Sequence, residues 1–151
     1  MLTEKDYCDY DTCVALKKLG YKEKTLAYYT SEGIFYWRRA YIYDVAIPDL
    51  AKSSNSNKEL HKHVLDAVSL YEAQKWLREE KNIVVRIIPL YEEGKAIKGM
   101  SYTNEVIHWD DGYVAEECIK EYDSYEEALS EGIKEAAKIL KNKSINKATN
   151  L

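Results

Sequence analysis

The most regular apolar spacing in this chain lies toward its C-terminus, where Leu129, Ile133, Ala136 and Leu140 recur at helical intervals. Ser124-Tyr125-Glu126-Glu127 precedes them and reads as a capping box. In such a box the serine hydroxyl and the Glu127 carboxylate satisfy each other's backbone N–H groups, and acids occupy the first turn. The pattern predicts a helix that starts at Ser124, runs to about Lys141 and gives way to a frayed polar tail over 144–151. A second capping box, Ser69-Leu70-Tyr71-Glu72, predicts a helix ending near Lys81-Asn82, with Tyr71, Ala73, Trp76 and Leu77 on its buried face. A third helix is expected over 9–19. Asp9 or Asp11 can cap it, and Thr12, Ala15, Leu16 and Leu19 form its stripe. Lys17 and Lys18 suit the last turn, and Gly20 fits the left-handed residue after the end.

Between the helices the pattern changes to β-branched and aromatic runs. Residues 25–30 and Ile34 to Tyr43 predict a hairpin about the Ser31-Glu32-Gly33 turn, with Arg38 and Arg39 marking an exposed or bent stretch. Ile83 to Leu90 is the densest β-branched run and predicts a central, well-covered strand whose pairing fails near Pro89. Glu92-Glu93-Gly94 is a turn signal, and Asp110-Asp111-Gly112 is a tight turn between runs 97–109 and 113–119. The segment 59–68 is ambiguous between a helical and an extended lead-in, and 51–58 is small, polar and aperiodic, hence a flexible loop.

The predicted order is α-β-β-α-β-β(-β)-α. It implies an α+β two-layer sandwich, with helices on one face of a mainly antiparallel sheet. Residues 1–143 fit a single domain and 144–151 a tail. Ala15-x-Lys17-x-Leu19 and Ala73-x-Lys75-x-Leu77 form a faint internal echo, each followed by a strand, an acidic-Gly turn and another strand.

Composition narrows the function. No apolar run approaches the roughly eighteen residues of a membrane span, and the opening Met1-Leu2-Thr3-Glu4-Lys5-Asp6 lacks the apolar region of a secretory signal. The net charge of −4 argues against general nucleic-acid binding, which needs lysine and arginine against phosphate. Three cysteines, Cys8, Cys13 and Cys118, read as reduced, partly buried thiols of a cytoplasmic protein. Fourteen tyrosines against one phenylalanine are unusual. A tyrosine ring with a polar tip suits half-buried sheet faces and interfaces.

Three stretches stand out together: Cys8-Asp-Tyr-Asp-Thr-Cys-Val-Ala-Leu-Lys-Lys-Leu-Gly-Tyr21 with Tyr28-Tyr29, then Tyr71-Glu-Ala-Gln-Lys-Trp-Leu-Arg-Glu79, then Asp123-Ser-Tyr-Glu-Glu-Ala-Leu129. In this order and spacing they resemble a family of small uncharacterised proteins from gut Bacteroidetes, their phages and prophages. The resemblance covers most of the chain apart from about 44–66 and the last ten residues. Members often carry a proline before the middle helix, where this chain has Val68. The family has no established activity or catalytic residues. The resemblance implies a cytoplasmic accessory protein associated with mobile elements.

Candidate chemistry is sparse. His61-x-His63 is the only close histidine pair, and a zinc site needs more ligands than it offers. Asp110-Asp111 beside His108 could do acid–base work, but DDG between strands is better explained as a turn. Ser124 is accounted for by capping, and neither a P-loop nor GxGxxG occurs. No catalytic, cofactor or metal residues are therefore expected. The remaining constellation is Tyr36-Trp37-Arg38-Arg39 with Tyr41 and Tyr43. Trp, Tyr and Arg are enriched where proteins grip one another. The expectation is a non-enzymatic protein that binds another protein or itself, without a membrane. The alternative is a nucleic-acid module in which the rings of the 36–39 strip stack bases and its arginines meet phosphates.

Overall fold

The computed structural model describes residues 2–37, 65–91, 93, 100–109, 113–117 and 120–149. A short 3-10 turn (Glu4–Asp6) leads into α1 (Tyr10–Lys18). The elements β1 (Ala27–Tyr29), β2 (Phe35–Trp37), β3 (Leu65–Ala67), α2 (Leu70–Lys81), β4 (Ile83–Leu90), β5 (Ser101–Trp109), β6 (Tyr113–Glu117) and α3 (Tyr125–Thr149) follow. The fold is α+β, as the pattern predicts. Two antiparallel three-stranded sheets, ordered β2-β1-β3 and β4-β5-β6, take the place of the single sheet expected. The ambiguous 59–68 segment supplies the additional strand, β3. Its Leu65 and Ala67 are buried while Asp66 between them is not, a period-2 pattern too short to read in the sequence.

Each helix start follows from its cap. The Asp9 carboxylate accepts from Thr12 N at 2.9 Å. Ser69 Oγ accepts from Glu72 N at 3.2 Å, and Ser69 N donates to the Glu72 carboxylate at 3.3 Å, completing the predicted box without a preceding proline. Ser124 Oγ accepts from Glu127 N at 3.1 Å. Asn82 closes α2 in the left-handed conformation (φ 53°) and Gly20 follows α1 at φ 104°.

Four expectations are corrected. Among the described strands β4 lies at the edge of its sheet, and its pairing with β5 runs through Pro89, opposite Tyr102, to Leu90. An edge position removes the need for the N–H that proline lacks. The β-branched residues of β4 answer to helix cover instead: Ile83 and Val85 lie buried under the helical layer, while Arg86, next along the strand on its other face, is exposed. In α2 the buried residues are Leu70, Ala73 and Leu77, Trp76 is half-buried, and Tyr71 is exposed. Finally, α3 continues to Thr149. No glycine or proline follows Gly132 to stop it, and Ser144 and Thr149 hydroxyls donate back to the Leu140 and Ile145 carbonyls.

All three helices and both sheets share one core. Leu16, Leu70, Leu77, Ile83, Leu129 and Ile133 are fully buried within it. The helix α3 covers β4 and β5 and also touches α1 and α2, while α1 rests on β3. Gly132 lets α3 approach closely: a Cβ there would fall within 3.0 Å of a Val85 methyl. Asn104, buried in β5, donates from Nδ2 to the Ala128 carbonyl at 2.9 Å and pins the first turns of α3. The echo between the halves does not carry into pairing, since the central strand is the first of one sheet (β1) and the second of the other (β5).

Candidate functional site

The predicted aromatic strip is split by the strand pleat. Residues pair as Ala27↔Trp37, Tyr28↔Tyr36 and Tyr29↔Phe35. Phe35 and Trp37 turn inward beside Tyr7, with ring centroids 5.1 and 5.4 Å from it, and Trp37 remains 37% exposed at the margin of that cluster. Tyr36 points to the opposite face and stacks on Tyr28 at 5.8 Å. Tyr36 and Trp37 therefore do not form one platform. Arg38, Arg39, Tyr41 and Tyr43 lie outside the described residues. The tyrosine excess has a local explanation at Tyr29, whose ring fills the core while its hydroxyl donates to the Cys8 carbonyl at 2.7 Å. Phenylalanine would leave that buried carbonyl without this donor.

The polar candidates divide similarly. His108 is buried in β5 against Lys143 of α3, whose Nζ meets the imidazole Nδ1. A polar recess of about 200 Å³ opens there, lined by Glu80, Asn82 and Lys147 among others. Asp110, Asp111, His61, His63 and Cys118 lie outside the described residues, as does the 51–58 loop. Among the described residues, no three histidine, cysteine or acidic side chains gather as a metal site would require. Cys8 and Cys13 are both fully buried thiols; the hydrogen bond with Cys13, together with burial, pushes the Cys8 thiol well above the ordinary cysteine range. Glu105, buried in β5, is held by Arg86 at 2.5 Å across the β4–β5 pair.

An apolar concavity lies elsewhere, between α1 and the C-terminal half of α3. It encloses about 500 Å³. Val14, Ala15 and Leu19 form one wall and Ala137, Ile145 and Ala148 the other, with Asp11, Lys18 and Lys141 at the rim. Ile145 is 54% exposed. The groove exists because the core takes only part of the apolar surface of α1. Thr12, Cys13 and Leu16 are buried, whereas Ala15 and Leu19, placed in the core stripe by sequence spacing, are only half-buried and face α3. Beyond Ala137, the groove-lining residues of α3, Lys141, Ser144, Ile145 and Ala148, are exposed.

The N-terminal end of α1 is fixed to α3 by charge. Lys134 Nζ lies 2.9 Å from both Asp9 and Glu131. Its hydrogen bond to Glu131, followed by that to Asp9, outweighs partial burial and raises the ammonium to about 12. Burial pushes the Asp9 carboxyl up, but the Thr12 hydrogen bonds and Lys134 prevail and hold it below the usual carboxylate range. This network holds the two helices against each other where the groove begins.

Sequence reasoning missed the groove. One available signal was the width of the apolar surface on α1, where Val14 joins Ala15 and Leu19 outside the Cys13–Leu16 row. Another was Ile145, an isolated apolar residue in a polar stretch. No described helix is long and apolar enough to cross a membrane. Comparison with protein-family models, curated proteins and solved structures finds no match to this chain.

Proposed function

We propose that this is a non-enzymatic accessory protein that works by gripping an amphipathic helix of another protein in the groove between α1 and α3. The observation that supports it is the groove itself, an apolar trough flanked by two helices with charged residues at its lip. That is the architecture by which helices are read through anchors at i, i+3, i+4 and i+7. A large exposed apolar side chain such as Ile145 gains contact area only when something covers it. A cytoplasmic, mobile-element setting belongs to the same proposal and rests on the three-motif resemblance alone.

The test is fluorescence anisotropy with labelled amphipathic helical peptides carrying leucines at those four spacings. Saturable binding by the wild-type protein, weakened at least about tenfold in Ile145→Glu with unchanged melting, supports the reading. Absence of saturable binding, or equal binding by Ile145→Glu, overturns it.

A second reading keeps nucleic acid as partner. It is favoured by the stacked Tyr28–Tyr36 pair on the outer face of the first sheet, a surface on which bases could stack. Asp66 shares that face and would oppose phosphate. Micromolar binding of single-stranded DNA that falls steeply with salt and is lost in Arg38→Ala/Arg39→Ala would promote this reading over the first.

A further inference from the structure

We infer that the partner helix is acidic on its polar side and belongs to a different protein rather than to a second copy of this chain. The inference rests on the groove reading above and names the occupant from charge. After Glu135 the sequence holds Lys138, Lys141, Lys143 and Lys147 and no aspartate or glutamate. Of the 22 basic residues, 18 therefore precede that point, together with all 26 acids, so a region of net −8 is followed by one of net +4. In the fold this segregation falls on one element. The last turns of α3 carry that positive excess; of its four lysines Lys141 lines the groove, while Lys143 and Lys147 line the recess at His108.

The rim residues extend the same sign. Lys18 on α1 and Lys141 on α3 flank the trough and are exposed, with Asp11 as the only acid among the described residues lining it. The neighbouring Lys134 is already answered by Asp9 and Glu131, so it does not add to the field over the groove. The dimensions suit a short helix. At 1.5 Å per residue the groove wall from Ala137 to Ala148 is about 17 Å long and α1 about 14 Å, which matches roughly three turns of a partner. Such a segment would seat apolar anchors between Leu19 and Ile145 and set acids against Lys18 and Lys141.

A second copy fits poorly. In a two-fold dimer the same surface meets itself, bringing one lysine-rich α3 against another. Among the described helices none can serve as donor, because α2 mixes Glu72, Glu79 and Glu80 with Lys75, Arg78 and Lys81 and has its apolar side in the core. Nucleic acid would answer the lysines but would leave Val14, Leu19 and Ile145 without apolar contact.

The experiment uses three twelve-residue helical peptides with one shared leucine face and glutamate-rich, glutamine-rich or lysine-rich polar faces, titrated against the intact protein at low and physiological salt. The expected result is an order glutamate above glutamine above lysine, with about tenfold between the extremes at low salt and compression of that range as salt rises. Lys18→Glu/Lys141→Glu should reverse the order of the glutamate-rich and lysine-rich peptides. Equal binding of all three peptides, lost in Ile145→Glu, would overturn the charge inference and leave the groove reading standing. Binding by none would overturn the groove reading itself. Concentration-dependent dimerisation that blocks the groove and is relieved by Ile145→Glu would overturn the choice of a heterologous partner.

Discussion

Gly132→Ala isolates the contact that brings α3 onto the sheet. In an exposed helix interior this change stabilises by about 0.5–1 kcal/mol, because alanine has less backbone freedom to lose. At position 132 the added methyl would sit within 3.0 Å of a Val85 side-chain carbon, well inside ordinary carbon–carbon separation, with Asn104 Cβ at 3.4 Å on the limit of ordinary contact. Neither neighbour yields cheaply. Val85 is 2% exposed, and Asn104 is tied to the Ala128 carbonyl at 2.9 Å. Overpacking of this kind costs about 1–3 kcal/mol. Against the propensity gain the net expectation is a loss of about 1 kcal/mol, or roughly 2–4 °C in Tm for a chain of this size. Urea unfolding with an unchanged m-value reads it out. Val85→Ala opens space at the same spot, so the double variant should be more stable than the two single changes summed, by about 1 kcal/mol or more. A Gly132→Ala protein more stable than wild type, or strict additivity with Val85→Ala, would refute the claimed close approach.

Three further outcomes follow from the same physics. Ser69→Ala removes the hydroxyl half of the box that starts α2, leaving the backbone N–H of residue 69 on Glu72, and should cost about 1 kcal/mol in urea unfolding; no loss would mean the hydroxyl cap is idle. Leu77→Ala and Leu129→Ala, each at a fully buried position, should each cost about 2–5 kcal/mol, and wild-type melting in either would show that helix face lies outside the core. Asp9→Asn keeps the cap but discards the charge facing Lys134, so it should cost about 0.2–1 kcal/mol at neutral pH, the pair being partly exposed. Because the folded state lowers the Asp9 carboxyl, its contribution is complete above the ordinary carboxylate pKa and is lost as pH falls through the lowered folded value. The stability gap between wild type and Asp9→Asn should therefore close on acidification, and a gap that widens toward low pH would contradict the assignment.

Where local chemistry decides the outcome, the sequence was legible. The box at Ser69, the Ser124 hydroxyl cap, the aspartate before α1 and Gly20 after it all act through backbone groups within a few residues and stand where spacing placed them, although the Glu127 carboxylate accepts from Asp123 N rather than from Ser124 N. What spacing cannot encode is the identity of a neighbour. The β-branched density of β4 reports that one face is covered, and a covering helix satisfies it as well as flanking strands do. Tyr71 holds a helical spacing compatible with the core, yet Leu70 beside it takes the buried place. Tyr36 and Trp37 look like one surface when written side by side, and the pleat sends them apart. Ala15 and Leu19 were recognised as apolar but assigned to the wrong neighbour, since only the path of α3 shows that they line a groove.

The central claim is that the α1–α3 groove is the working surface. It is tested most directly by NMR titration of the glutamate-rich peptide into the intact protein. The account predicts that the methyl signals of Val14, Ala15, Leu19, Ala137, Ile145 and Ala148 shift together while the rings of Tyr28, Tyr36 and Trp37 stay in place. Movement of those rings with the groove methyls unperturbed would contradict it.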